Sequence, residues 1–207
     1  MSEHRHSLDS VLLETHVLQD TDPDLPGLLS DGFEVVGESW GAELALDGGA
    51  ESSAALDRLR GFVETARRAG LEIRELDARD AAAIEALDAE SWADVPTTPA
   101  TVHAPVSAID VRDWASRGRR AFGALDGDRL VGLCVGSAGD NDFVVVAPDQ
   151  RGRGIGVAVV AAWMLGAIEA GERTFSAGGA SQNARSLAMI RAVGFRVTER
   201  WLSLQRR

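Results

Sequence analysis

From Val144 to Val157 the chain reads Val-Val-Val-Ala-Pro-Asp-Gln-Arg-Gly-Arg-Gly-Ile-Gly-Val, an apolar strand-like run that passes through glycines into a helix-like apolar pattern. Such a junction binds anions. The first N–H groups of the helix have no internal partner, and the helix dipole places partial positive charge on them. Gly152, Gly154 and Gly156 let the backbone approach phosphate oxygens with no Cβ in the way, and Arg151 and Arg153 can add charge-assisted hydrogen bonds. A Walker-type loop requires a lysine, and the chain has none. A dinucleotide fingerprint requires a third glycine where the chain has Val157, counting from Gly152, or Val159, counting from Gly154. The spacing that fits is Arg-x-x-Gly-x-Gly, carried by Arg151, Gly154 and Gly156 directly after a strand ending in Val-x-Pro.

Proton-handling groups are sparser. Asp140 and Asp142 at the start of the strand before the loop, Glu90 near the end of an earlier helix and His103 in a proline-flanked loop are candidate bases. For each carboxylate the competing reading is a solvated surface group. Trp92 and Trp114 are candidates for the wall of an acceptor pocket or for the core. Cys134 is the single cysteine, which excludes an internal disulfide and a multi-cysteine zinc site. Its apolar neighbours make it a buried thiol rather than a nucleophile.

The elements that must position these groups follow from periodicity. Leu71–Leu76 alternates as a half-buried strand, and Asp80 is placed to cap a helix over Ala81–Trp92. Pro96, Pro99 and Pro105 impose a loop-rich stretch, followed by a short helix near Asp110–Ser116. Arg120–Leu125 and Leu130–Gly136 flank Asp126-Gly127-Asp128 as a hairpin. Asp142–Val146 is the next strand, Val157–Ala170 a helix closed by Gly171, Thr174–Gly178 a strand, Gln182–Val193 a helix ended by Gly194, and Phe195–Leu204 the closing strand. This alternation predicts a mixed α/β sheet with helices on both faces.

Before it, Gly32-Phe33-Glu34-Val35-Val36-Gly37-Glu38-Ser39-Trp40 echoes Gly194-Phe195-Arg196-Val197-Thr198-Glu199-Arg200-Trp201. Each copy follows a helix-like and, earlier, a strand-like stretch. The first copy has no glycine-rich loop, so no second cofactor site is expected there. The competing reading is an unrelated β-α-β appendage. Ser52–Ala69 reads as a connecting helix with Leu56, Leu59, Val63 and Ala66 on its buried stripe and Gly70 at its end. The organisation predicted is a partial unit at 1–50, a linking helix at 51–70 and a complete domain at 71–207.

The loop over 151–156, together with Asn183, Ser186 and Leu187 and the Gly194-Phe195 pair downstream, resembles the GNAT superfamily of acyl-CoA N-acyltransferases. The resemblance covers most of 71–207, and the half-unit before it, with Asp94-Val95-Pro96 after the first helix, resembles the second half of tandem GNAT proteins. It implies the GNAT fold, a mostly antiparallel twisted sheet with helices on both faces, and acetyl-CoA as co-substrate without a metal. It also implies that Arg151, Gly152, Arg153, Gly154, Ile155 and Gly156 hold the pyrophosphate. Backbone groups of Val144 and Val146 would pair with the pantetheine arm, and Asn183 would contact the cofactor, although a helix cap is an equally good role for it. An amine would attack the thioester directly in a ternary complex. Where many family members carry a tyrosine to protonate the departing thiolate, this chain has Ile190, and it contains no tyrosine at all. The thiolate leaves unprotonated, or water supplies the proton, or the protein binds acyl-CoA without turning it over.

Composition bounds the partners. With 207 residues, 45% hydrophobic, the chain has enough for one core and a smaller appended unit. No apolar run reaches the ~20 residues that span a bilayer, which predicts a soluble, cytoplasmic protein without a membrane partner. A net charge of −11 argues against nucleic acid and mildly favours a cationic acceptor, a small molecule or a peptide. The incomplete sheet edge of the first unit suggests a homodimer as one way to cover it.

Overall fold

The computed structural model describes residues 14–94 and 96–206; the first thirteen residues of the N-terminal unit, Val95 and Arg207 lie outside the described part. Among the described residues eight strands form one sheet: β1 Thr15–Gln19, β2 Phe33–Ala45, β3 Glu72–Leu76, β4 Arg119–Asp126, β5 Arg129–Ser137, β6 Asp140–Val146, β7 Thr174–Ala180 and β8 Arg196–Arg206. Six helices connect them: α1 Leu25–Ser30, α2 Ala50–Arg68, α3 Ala81–Ser91, α4 Ala108–Trp114, α5 Ile155–Glu169 and α6 Ala184–Val193. The strand order is β1-β8-β2-β7-β6-β5-β4-β3, antiparallel throughout except for β6 and β7.

The sheet is covered on both sides at its centre. In β5 every residue from Leu130 to Gly136 is buried, as a strand packed on two faces requires. A Cβ at Gly132 would lie 2.4 Å from Ile155 Cγ2, and one at Gly136 2.5 Å from Trp163 Cζ2, so these positions face α5. Val131, Leu133 and Val135 therefore face the opposite layer, where α3 packs. Helix α5 is buried almost all round, with Val159, Val160, Ala161 and Met164 at 0% exposure. It is wedged between the sheet and α2, whose stripe of Ala55, Leu59, Val63 and Ala66 is buried. Leu56, expected on that stripe, is only half-buried, and Ala55 takes its place.

Residues 14–45 are not an appendage. Strand β2 lies inside the sheet, hydrogen-bonded to β7 on one side and β8 on the other, and β1 adds to the far side of β8. The β2–β8 ladder has an approximate two-fold axis. Ser39 faces Trp201; the next pairs outward are Glu38 with Leu202 and Trp40 with Arg200, then Gly37 with Ser203 and Gly41 with Glu199. Each pair maps onto its counterpart by the interval that separates Gly32 from Gly194, the interval of the sequence echo. Both register shifts obey it too, falling between Val35 and Gly37 and between Gly41 and Ala42. Phe33 and Phe195, Leu202 and Trp40, and Leu204 and Ala42 are equivalent pairs, and all six are buried. Each strand–helix–strand segment thus lends its second strand to the other, and among the described residues β1 is left as the edge strand at that end of the sheet.

Three local expectations change. Asp80 makes no side-chain cap for α3; its carboxylate accepts from Arg74 at 2.9 and 2.7 Å and from the Asp77 N–H at 2.9 Å, closing a capping box around the 3-10 turn 78–80. The guanidinium outcompetes the helix end because its two hydrogen bonds are charge-assisted. Strand β6 begins at Asp140 rather than Asp142, because Ala138 (φ 47°) and Gly139 (φ 85°) form a two-residue turn closed by the Ser137–Asp140 pair. Helix α5 starts at Ile155, two residues before its apolar pattern becomes regular.

Deleting residues 1–70 would remove β2 from between two strands and expose both. A 71–207 truncation is therefore expected to be insoluble or to lack a cooperative urea transition, where the full chain shows one. The Arg74 guanidinium holds the Asp80 carboxyl below its ordinary value, chiefly by hydrogen bonding. A depressed folded-state pKa contributes stability that is present above the unfolded value near 3.8 and is lost as pH falls below it. Arg74→Met should accordingly flatten the loss of unfolding free energy between pH 5 and pH 3, followed by urea titration.

Candidate functional site

Strands β6 and β7 run parallel and pair only at Asp140 with Ser176 and Asn141 with Ala177, after which they part. On its other edge β6 stays paired with β5 up to Val146, and the Ala147 N–H donates to Val131 O at 3.0 Å. Since backbone groups alternate along a strand, those of Val144 and Val146 turn away from β5 into the gap. A cavity of about 710 Å³ opens there. Val144, Val146, Arg151, Gly152, Gly154, Ile155, Gly156 and Asn183 line it, together with Ser91 and Asp94 from the α3 side and Arg185, Ser186 and Met189 from α6. Of the nine residues singled out in the sequence, Arg153 alone is outside this lining. Its guanidinium bonds Gln150 Oε1 and lies 3.7 Å from Asp126.

The glycines divide into two kinds. Gly152 (φ 83°) and Gly154 (φ 79°) are left-handed, and a Cβ on either would meet nothing within 4 Å. Backbone conformation and open space, not packing, distinguish these two positions. Gly156 is helical, and a Cβ there would lie 2.8 Å from Met189 Sδ, so its smallness also lets α6 approach α5. No side chain caps α5, and its first turn holds no acidic residue. The N–H groups of Ile155, Gly156 and Val157 are left at the cavity wall without an intrahelical acceptor, a cradle suited to an anion such as a diphosphate.

Arg151 is more committed than its motif suggests. Nε donates to Val146 O at 3.1 Å and an Nη donates to Asp94 Oδ2 at 2.7 Å, which ties the loop to the end of the α3 segment. Asn183 caps α6, its Oδ1 accepting from the Ser186 N–H at 3.1 Å, and its amide nitrogen is left to serve the cavity. Both of its sequence roles are geometrically compatible. Ser91 was not legible beforehand: it is 2% exposed, and its Oγ has no hydrogen-bond partner among the described residues.

The candidate bases scatter. Glu90 is exposed and bonded to Arg129, which also holds Asp149 down to about 2 through hydrogen bonds. Asp140 accepts from Ser176 Oγ at the point where β6 and β7 still pair. Asp142 bonds Arg119 at 2.9 Å, yet burial pushes its carboxyl upward. His103 is the most fully partnered of the four: its Nε2 lies 2.6 Å from Asp88 Oδ1, and its ring sits tilted against Phe143 of β6 at 4.8 Å and against Trp92 at 5.6 Å. Asp88 is nearly fully buried, and its other oxygen accepts from the Val106 N–H at 2.9 Å. Stranding one member of a buried pair costs about 3–5 kcal/mol, so the pair fixes the loop over 96–106. Trp114 belongs to the core, Trp92 is 41% exposed, and Cys134 is fully buried with its thiol pushed up by desolvation.

The mostly antiparallel sheet with helices on both faces is the architecture the resemblance implied, and it opens between two parallel strands onto a glycine-lined helix start. The chain belongs to the GNAT acetyltransferase family: the profile described as "Acetyltransferase (GNAT) family" matches residues 81–195. No curated protein matches the sequence. Among solved structures, it is similar to a GCN5-related N-acetyltransferase from Sphaerobacter thermophilus, with 16% identity and a TM-score of 0.64 over 93% of this chain and 58% of that one. A tandem GNAT protein from the clavulanic acid biosynthesis pathway matches with 18% identity and a TM-score of 0.62, over 92% of this chain and 62% of that one. YncA from Salmonella typhimurium, whose structure holds its cofactor acetyl-CoA, matches with 22% identity and a TM-score of 0.54, over 65% of this chain and 90% of that one. The chain thus spans about 60% of the length of the first two. No described helix is long and apolar enough to cross a membrane, and no metal-ligating cluster occurs among the described residues.

Replacing Gly154 by valine would force a β-branched residue to φ 79° at the cradle. Acetyl-CoA affinity should fall tenfold or more by calorimetric titration. Gly61→Ala, on an open surface of α2, should leave it unchanged.

Proposed function

We propose that this chain is an N-acetyltransferase that moves the acetyl group of acetyl-CoA to a primary amine bound beside it. The observation that carries the reading is the coincidence, at one opening, of a left-handed glycine turn with uncapped helix N–H groups and a strand edge without a neighbour. A diphosphate fits the former and an amide-bearing arm fits the latter. The residues that would hold acetyl-CoA are the backbone of Val144 and Val146, the turn Arg151 to Gly156, and the amide of Asn183. Arg153 would contribute from the rim, after release from Gln150. Membership of the GNAT family and the acetyl-CoA bound to YncA support this choice of co-substrate.

The chain's own groups then hold both reactants and manage one proton. Ile190, at the position where a tyrosine would protonate the thiolate, is 1% exposed in the core. A thiol with a pKa near 8.5 is a tolerable leaving group near neutral pH, so turnover does not require that tyrosine. We further propose the organisation named from the sequence: a partial GNAT-like unit at 1–50, a linking helix at 51–70 and the catalytic domain at 71–207. The two-fold β2–β8 ladder supports it. A cytoplasmic location and a small-molecule or peptide acceptor belong to the same reading. So does a homodimer, which would cover the outer edge of β1.

The second reading is an acyl-CoA-binding module without turnover, favoured by the partners that engage the three candidate carboxylates, Arg129 on Glu90, Ser176 on Asp140 and Arg119 on Asp142. Calorimetry with acetyl-CoA, followed by thiol-release assays across primary amines, separates the two. Binding with release for at least one amine is expected. Binding without release under any amine would select the module.

A further inference from the structure

We propose that His103 is the general base that takes the proton from the acceptor amine, with Asp88 as its positioning residue. This rests on the acetyl-transfer reading above, and it assigns the role that reading leaves open. An arm that begins at the glycine turn and runs back along β6 passes Val146 and then Val144. Its thioester end comes to the level of Phe143, roughly 10 Å from Val146 at strand rise. The His103 ring lies tilted against the Phe143 ring, centroids 4.8 Å apart, on the α3 side of the sheet where Ser91, Asp94 and Pro96 wall the cavity. Asp88 and Ser91 are three residues apart on α3 and share its inward face, so the dyad lies one turn from the cavity wall.

The dyad has the polarity a base requires. The Asp88 carboxylate is 3% exposed with both oxygens engaged, so it can hold His103 only by accepting from Nε2–H. That fixes the tautomer and leaves the lone pair on Nδ1, which has no hydrogen-bond partner among the described residues. The ring keeps 13% of its surface open. The loop that carries it is held from two sides, by Asp88 on the Val106 N–H and by Ser39 of β2, whose Oγ lies 3.1 Å from Thr98 Oγ1 and 3.0 Å from Thr101 Oγ1. In the reaction the amine nitrogen bonds the acetyl carbonyl carbon, and its proton passes to Nδ1. The carbon–sulfur bond breaks with its electron pair on sulfur, and the proton leaves His103 for solvent or the thiolate.

The test uses the full chain and four probe amines: tyramine, spermidine, lysine amide and a peptide with a free N-terminal serine. His103→Gln keeps an N–H for Asp88 but has no basic ring nitrogen, so a purely structural histidine would be rescued by it. The expected result is a 100-fold or greater fall in kcat for the amines the wild type acetylates, with acetyl-CoA affinity within threefold. Nitrogen NMR of the imidazole should show the proton on Nε2 and none on Nδ1 near pH 7.5, and Asp88→Asn should shift it toward Nδ1 with a comparable loss of kcat. A His103→Gln enzyme within threefold of wild type overturns the assignment, as does a resting ring that carries its proton on Nδ1. If the variant fails to fold, the wild-type tautomer decides. A wild type that binds acetyl-CoA but acetylates no probe removes the base while sparing the cofactor site. A wild type that does not bind acetyl-CoA removes the proposed function itself, and the base with it.

Discussion

Strands β6 and β7 begin as parallel neighbours and separate after two residue pairs, and the site follows from that separation. A strand edge inside a sheet normally satisfies its N–H and C=O groups on a neighbour, so an interior edge left open must be met by water, by a side chain or by a ligand. Here one carbonyl, that of Val146, is met by Arg151, which also reaches Asp94. The rest of the edge opens into the cavity. At the end of the same strand the chain turns through Gly152 and Gly154 into a helix with no side-chain cap, so two sets of unpaired backbone donors converge on one volume. Side chains shape this place, but its polarity is chiefly that of the main chain.

The separation is held by the strands around it. Strand β7 is pinned on its outer side by seven pairs with β2, from Ser39–Ala180 to Ala45–Thr174, and a Cβ at Gly179 would lie 2.7 Å from the Trp40 ring. From the opposite face of β2, Ser39 hydrogen-bonds the two threonines of the loop that carries His103, and Gly37 leaves room for Thr98 against the sheet. The segment without a glycine-rich loop of its own therefore braces both β7, from which β6 separates, and the loop that carries His103.

Much of this was legible in the residues. The strand–turn–helix junction at 144–157 announces itself, because glycine spacing, a proline and two arginines meet between an alternating and a helical pattern. The Gly-Phe pair of the echo keeps the ladder interval, with Phe33 and Phe195 buried at equivalent positions, but the Trp40–Trp201 match is one residue out of step, because the ladder makes Trp40 equivalent to Leu202. What it could not show is that the two copies exchange strands: pattern fixes which face is buried, not which neighbour lies alongside. The Ala138-Gly139 turn was passed over because alanine carries no preference for a positive φ, and here flanking strand pairs impose it. Asp88 was invisible for a different reason. A carboxylate on an amphipathic helix reads as solvated, and its partner His103 lies fifteen residues on, beyond Pro96 and Pro99.

Strand β2 also has a consequence for how the molecule is made. Both of its neighbours, β7 and β8, come from the last 34 residues of the chain. During synthesis from the N-terminus, β2 emerges early and waits with two unpaired edges for more than a hundred residues to follow. An exposed strand in that condition is a template for aggregation, and natural proteins blunt such edges with charge. Glu34, Glu38 and Glu43 are spaced along it, and the first seventy residues carry 14 acidic against 5 basic side chains. The acidity of the N-terminal part is suited to keeping this strand soluble until its partners leave the ribosome.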